Sequence, residues 1–76
     1  MSEIVQIYVS LLDEKVEVWR PVQAEHLHGD LYRIVSQSYD QAIETWQFKP
    51  GDKVICQMIK SNDGLILAAT RRVERD

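Results

Sequence analysis

Turn-forming clusters cut this chain at short intervals, and no other feature limits its fold so tightly. They fall at Asp13-Glu14-Lys15, His28-Gly29-Asp30, the polar run from Ser36 to Gln41, Lys49-Pro50-Gly51-Asp52 and Ser61-Asn62-Asp63-Gly64. Turns spaced about 10–18 residues apart leave room for strands rather than for long helices. The segments between them alternate with period two. Val5, Ile7, Val9 and Leu11 share one face of the first, with Gln6, Tyr8 and Ser10 on the other. In the second, Val16, Val18, Val22 and Ala24 alternate with polar or aromatic residues, and Pro21 interrupts. Proline donates no ladder hydrogen bond, so Pro21 belongs at an edge or a bulge, and a bent strand kinked near Arg20 and Pro21 is expected.

The third segment, Leu31 to Gln37, is rich in strand formers, with Tyr32 and Ile34 on one face. From Ser38 to Ile43 the pattern fits a helical turn or a loop equally. Trp46 and Phe48 lie two apart and are expected to fill or cover the core. In Lys49-Pro50-Gly51-Asp52, proline presets one central dihedral and glycine accepts the positive φ of the next, as a type II turn requires. The strand from Lys53 to Lys60 is apolar on both faces, which suits a central position. Asp63-Gly64 suits a type I′ hairpin, and Leu65 to Thr70 forms the last strand, leaving Arg71 to Asp76 as a frayed charged tail.

With 76 residues the chain is one domain, and it buries only about 60–65% of its unfolded surface. A hydrophobic fraction of 45% argues against disorder. No apolar run approaches the ~18–20 residues of a membrane span, and the opening residues read as a strand rather than a signal peptide. The single cysteine, Cys56, excludes an internal disulfide, which fits a cytoplasmic location. A net charge of −3 disfavours general nucleic-acid binding.

Two stretches carry a resemblance. Val16 to Val35 and Glu44 to Gln57 resemble a group of small uncharacterised bacterial proteins that share Trp-Arg-Pro-Val-x-Ala, Gly-x-Tyr-x-Ile and Glu-x-Trp-x-Phe-x-Pro-Gly-Asp-x-Val elements. That resemblance implies no catalytic residues. Pro50 to Val54 is also similar to turn-strand elements of SH3-like barrels, including KOW-type modules of ribosome and transcription proteins. The expected fold is therefore all-β, a small antiparallel SH3-like barrel of five or six strands. An open sandwich or a helix on a sheet is the alternative.

No constellation of chemical groups stands out. His26 and His28 could share a metal, but zinc wants a third ligand, and the simpler reading is two polar residues at a strand end. Cys56 sits in an apolar strand, where a thiol behaves as a small hydrophobe. Nothing fixes Asp40 and Glu44 as an acid–base pair. The expectation is a non-enzymatic module, without metal or cofactor, that binds another protein through Trp19, Arg20, Tyr32, Arg33 and Trp46. In the competing reading for Trp19 and Arg20, the tryptophan packs into the core or against Pro21, and Arg20 pairs with an acid such as Glu44. Tyr8 and Tyr39 would extend an aromatic patch if they surfaced beside Trp19 or Trp46. The alternative function is nucleic-acid binding through Lys49, Lys53, Lys60, Arg71 and Arg72. A homodimer is a further expectation, because a small core leaves large apolar residues outside.

Overall fold

The computed structural model describes residues 3–38 and 44–73. All regular elements among them are strands: β1 (Glu3–Ser10), β2 (Trp19–His28), β3 (Leu31–Ile34), β4 (Lys53–Ser61) and β5 (Gly64–Arg72). They form a closed barrel in chain order. Each strand pairs antiparallel with the next, and β5 returns to β1 through a single parallel pair, Tyr8 with Ala68. The parallel seam follows from the strand count. In a meander of five strands the first and last run in the same direction, so an all-antiparallel closure is geometrically impossible. The helical turn considered for Ser38 to Ile43 lies, beyond Ser38, outside the described residues, as do Tyr39 and Asp40.

The period-two pattern places the core. Ile7 and Val9 of β1, Val22 and Ala24 of β2, Ile34 of β3, Val54 and Cys56 of β4 and Ala69 of β5 meet inside the barrel. Trp46 and Phe48 complete this core, with Val5, Leu11, Tyr32 and Leu67 packed against it. Trp46 and Phe48 do so without a strand of their own. Leu11 and Trp46 form an isolated bridge, the Leu12 amide donates to the Thr45 carbonyl at 2.8 Å, and the Gln47 amide donates to the Ser10 carbonyl at 2.8 Å. Residues 45–47 thus extend the end of β1 and swing both aromatics inward.

Several boundaries differ from the sequence pattern. β1 stops at Ser10, and β2 begins only at Trp19, leaving Val16 72% exposed in the connection. No bulge marks the chain near Arg20 and Pro21, where a kink was expected. There β2 keeps register with β1, Arg20 opposite Val9 and Pro21 opposite Tyr8, while the register shift falls between His26 and His28. Pro21 fits because it faces an edge. Gln23 turns its amide and carbonyl to the side away from β1, where the Gln37 side chain and the Val35 amide meet them. Two residues earlier, Pro21 has the same orientation, beyond the reach of β3, so its missing donor costs no ladder bond.

The turns follow local chemistry. The Asp52 amide donates to the Lys49 carbonyl at 3.0 Å, the Asp52 carboxylate accepts from the Lys49 amide at 3.0 Å, and Gly51 has φ +97°. This is the expected type II turn. The Gly51 amide also donates to the Ile34 carbonyl at 2.7 Å, which docks the turn on the end of β3. Nothing lies within 4 Å of a Cβ at Gly51, so a substitution is strained only by its backbone angle. Gly51→Ala is expected to cost about 1–2 kcal/mol in chemical denaturation. A synthetic chain with D-alanine there should regain most of the loss, and an equal loss in both would show that the cause is steric rather than conformational.

The hairpin at Ser61–Gly64 is not the type I′ turn expected. Among the described residues no non-glycine has positive φ, so Asn62 and Asp63 stay on the negative side and Gly64, at φ +109°, takes the left-handed step. The Ser61 hydroxyl supports this arrangement, donating to the Gly64 carbonyl at 2.8 Å and accepting from the Asp63 amide at 3.2 Å. Arg71 and Arg72, expected in a frayed tail, instead pair with Ile55 and Val54 as the last residues of β5.

Candidate functional site

The alternation that buries Ile7 and Val9 turns Tyr8 outward between them. Tyr8 lies opposite Pro21, and Trp19 opposite Ser10, so both aromatics project from the outer face of the β1–β2 pair. The β4–β5 hairpin forms the facing wall. Between them lies a groove of about 520 Å³, lined by Tyr8, Val18, Trp19 and Ile66, with Glu17, Lys60 and Asp63 contributing charge. The Trp19 indole Nε1–H donates to the Glu17 carboxylate, and the Tyr8 hydroxyl accepts from the Gln6 amide at 3.1 Å.

Of the five residues expected to form one binding surface, only Trp19 lines this groove. Arg20 donates from Nε to the Glu44 carboxylate at 3.2 Å and from Nη1 to the Pro21 carbonyl at 3.1 Å. The pairing of Arg20 with Glu44 was the competing reading of the sequence, and it is the one that holds. Trp46 donates from Nε1 to the same Glu44 oxygen at 2.9 Å and is only 2% exposed, so the surface role expected for it is corrected. Trp46 is apolar over its rings and needs one acceptor for its N–H. Glu44 meets that need beside the core. Tyr32 stacks on His26 with ring centroids 4.7 Å apart and packs on the core, while Arg33 forms an ion pair with Glu25 across β2 and β3. These side chains do not converge on one patch.

Glu44 joins two elements electrostatically. The Trp46 N–H does most to hold its carboxyl below the usual carboxylate value; desolvation, next in size, opposes it, and the Arg20 guanidinium adds to the lowering. A depressed acid contributes stability above its unfolded value and loses that contribution as pH falls through its folded value. Wild type is therefore expected to lose more stability than Glu44→Gln between neutral and strongly acidic pH. Parallel acid limbs in urea melts of the two proteins would refute the assignment.

The remaining chemical candidates resolve one by one. Cys56 is buried and free, and burial, followed by the Asp30 carboxylate, pushes its thiol up to about 12. A thiol so protonated is no nucleophile at neutral pH. His26 Nε2 lies 2.9 Å from the Gly29 carbonyl, whereas His28 is exposed beyond the register shift. Among the described residues no three His, Cys, Asp or Glu side chains group as metal ligands. Lys53 lies opposite Arg33, and Arg71 opposite Ile55, so both cations sit on the outer face of β3–β4–β5. Lys60 sits at the far end of β4 and lines the groove instead.

The groove was half legible in the sequence. Tyr8 falls on the mixed face of the first segment, but Ile66 and the hairpin reach it only through the closure of the barrel. Comparison with known proteins returns no family model, no curated relative and no solved structure that matches the chain. No helix of the described residues is long and apolar enough to cross a membrane.

Proposed function

We propose that this barrel is a non-enzymatic module that binds a peptide segment of another protein in the groove between β1–β2 and the β4–β5 hairpin. One observation carries the reading: two outward aromatics, Tyr8 and Trp19, stand beside Ile66 in a concave site rimmed by charge. Aromatic anchors in a depression are the usual source of binding energy at protein interfaces. A lone buried thiol and the absence of a disulfide support a cytoplasmic setting, and the closed five-strand architecture is compatible with a small SH3-like barrel. Selection from a random peptide library on the immobilised protein tests the reading. Selected peptides should shift the amides of Tyr8, Glu17–Trp19 and Lys60–Ile66 in NMR titrations and lose most affinity to Trp19→Ala. Selected binders that shift a different face would overturn it.

A second reading rests on Lys53 and Arg71, which share one outer face with Arg33. That face could contact a phosphate backbone, although Arg33 is already neutralised by Glu25. Binding of mixed RNA at low salt, weakening steeply with added salt, would favour it. Unmoved amides around Lys53 and Arg71 would remove it. Met58 and Leu65, 58% and 69% exposed on the hairpin arm, are the apolar residues through which a homodimer would form. Sedimentation of wild type against Leu65→Ser checks that expectation.

A further inference from the structure

Resting on the groove reading above, we infer that the groove selects a cationic side chain, an arginine presented by an extended basic peptide. Three features of the site define the ligand. The first is the pair of aromatic side chains, Tyr8 and Trp19, which line the same depression. Their π faces carry negative potential and attract a cation placed over them. The second is the engagement of the Trp19 N–H with the Glu17 carboxylate. The polar edge of the indole is thereby satisfied within the chain, leaving the ring face as the part offered to a ligand. It also holds a carboxylate beside that ring. The third is the charge of the lining: Glu17 and Asp63 supply two carboxylates against one ammonium, that of Lys60. An uncompensated negative charge remains, within a chain of net charge −3 that repels anionic ligands at long range.

The geometry favours arginine over lysine. A guanidinium lying flat on an indole directs its N–H groups sideways in the plane of the ring, toward acceptors at the rim. The Glu17 carboxylate beside Trp19 is such an acceptor, with an oxygen to spare after accepting the indole proton. An ammonium holds its water more tightly and gains less from stacking. The apolar walls of Val18 and Ile66 suit the methylene stem that leads to the head group. Lys60 opposes the ligand, so it is the position where loss of a charge should improve binding.

NMR titration of the whole chain tests this with two blocked peptides: one alternating alanine and arginine, the other identical but with citrulline in place of arginine. Citrulline keeps the shape and removes the charge. The arginine peptide should shift the Trp19 indole N–H and the amides of Glu17–Trp19 and Lys60–Ile66. The citrulline peptide should bind about tenfold more weakly. The double variant Glu17→Gln, Asp63→Asn should show a comparable loss, and Lys60→Gln a gain of about twofold. Both altered acids are exposed, so a dispersed spectrum will separate lost binding from lost folding. Equal affinity of the two peptides within the groove would overturn the requirement for a cation while leaving the groove a binding site. Shifts confined to another face, or none from either peptide at millimolar concentration, would overturn the inference outright, and the library selection then judges the broader reading independently.

Discussion

Trp46→Ala is expected to unfold this domain or leave it barely folded at room temperature. The side chain is 2% exposed, among the largest fully buried, and touches a core drawn from all five strands. Truncating a buried tryptophan costs about 3–5 kcal/mol. At roughly 0.05–0.15 kcal/mol per residue, a chain of 76 residues holds only about 4–11 kcal/mol in total. The substitution also removes one hydrogen-bond donor from Glu44, which keeps its bond from Arg20. Trp46→Phe separates the two effects, since it keeps most of the volume and deletes the N–H. Its expected cost is about 1–2 kcal/mol. Urea melts of the three proteins decide the matter. A Trp46→Ala midpoint near that of wild type would mean that Trp46 does not close this end of the barrel.

Cys56 is expected to react with a thiol reagent at least about a thousandfold more slowly in the native protein than in the unfolded chain at neutral pH. Raising the thiol from 9.0 to about 12 lowers the thiolate fraction by about that factor, and burial at 1% exposure adds steric exclusion. The same shift predicts the alkaline behaviour. Above 9.0 the unfolded chain releases the proton while the folded chain retains it toward about 12, so the folded state binds more protons and stability falls as pH rises across that window. The slope is at most about 1.4 kcal/mol per pH unit. Cys56→Ala should lack this alkaline limb. Rapid labelling of native protein would show that β4 opens locally at Cys56. Its amide is bonded to the Asp30 carbonyl at 2.9 Å, which argues for a closed strand.

Local signals carried most of the architecture. Val5, Ile7 and Val9, Val22 and Ala24, and Val54 and Cys56 face the core as their alternation predicts, because a strand has only two faces and water rejects the apolar one. Gly51 takes the positive φ that its turn required. The failures fall where partners decide. Pro21 reads as an edge or bulge residue, and it is the edge that applies: it keeps register in β2 because β3 is too short to ask for its missing donor. Asp63-Gly64 reads as type I′, which needs positive φ at both residues, yet Asp63 lacks it and only Gly64 has it, in a different turn that the Ser61 hydroxyl accommodates. Arg71 and Arg72 read as tail, yet β4 is long enough to pair them.

The candidate site was less legible because it is built from residues remote in sequence. Trp19, for which an inward and an outward reading stood side by side, lines the groove, whereas Trp46, read both as core filler and as a surface residue beside Trp19, is core. Composition treats two tryptophans alike. What separates them is that Trp46 is bridged to Leu11 at the closing end of the barrel, while Trp19 lies opposite Ser10 on the outer face. Arg33, which read as a free binding group, finds a carboxylate on β2, while Arg20 takes the Glu44 partner that its competing reading named.

By itself the sequence determined that this protein is all-β, where its turns lie and which side chains alternate inward, since those properties depend on residues a few positions apart. Only the tertiary structure decided that the closing seam is parallel, that Trp46 lies in the core and not on a binding surface, and that Tyr8, Trp19 and Ile66 share a groove. Those outcomes depend on which strands become neighbours, and that is settled by the mutual burial of segments up to some sixty residues apart, which no local pattern encodes.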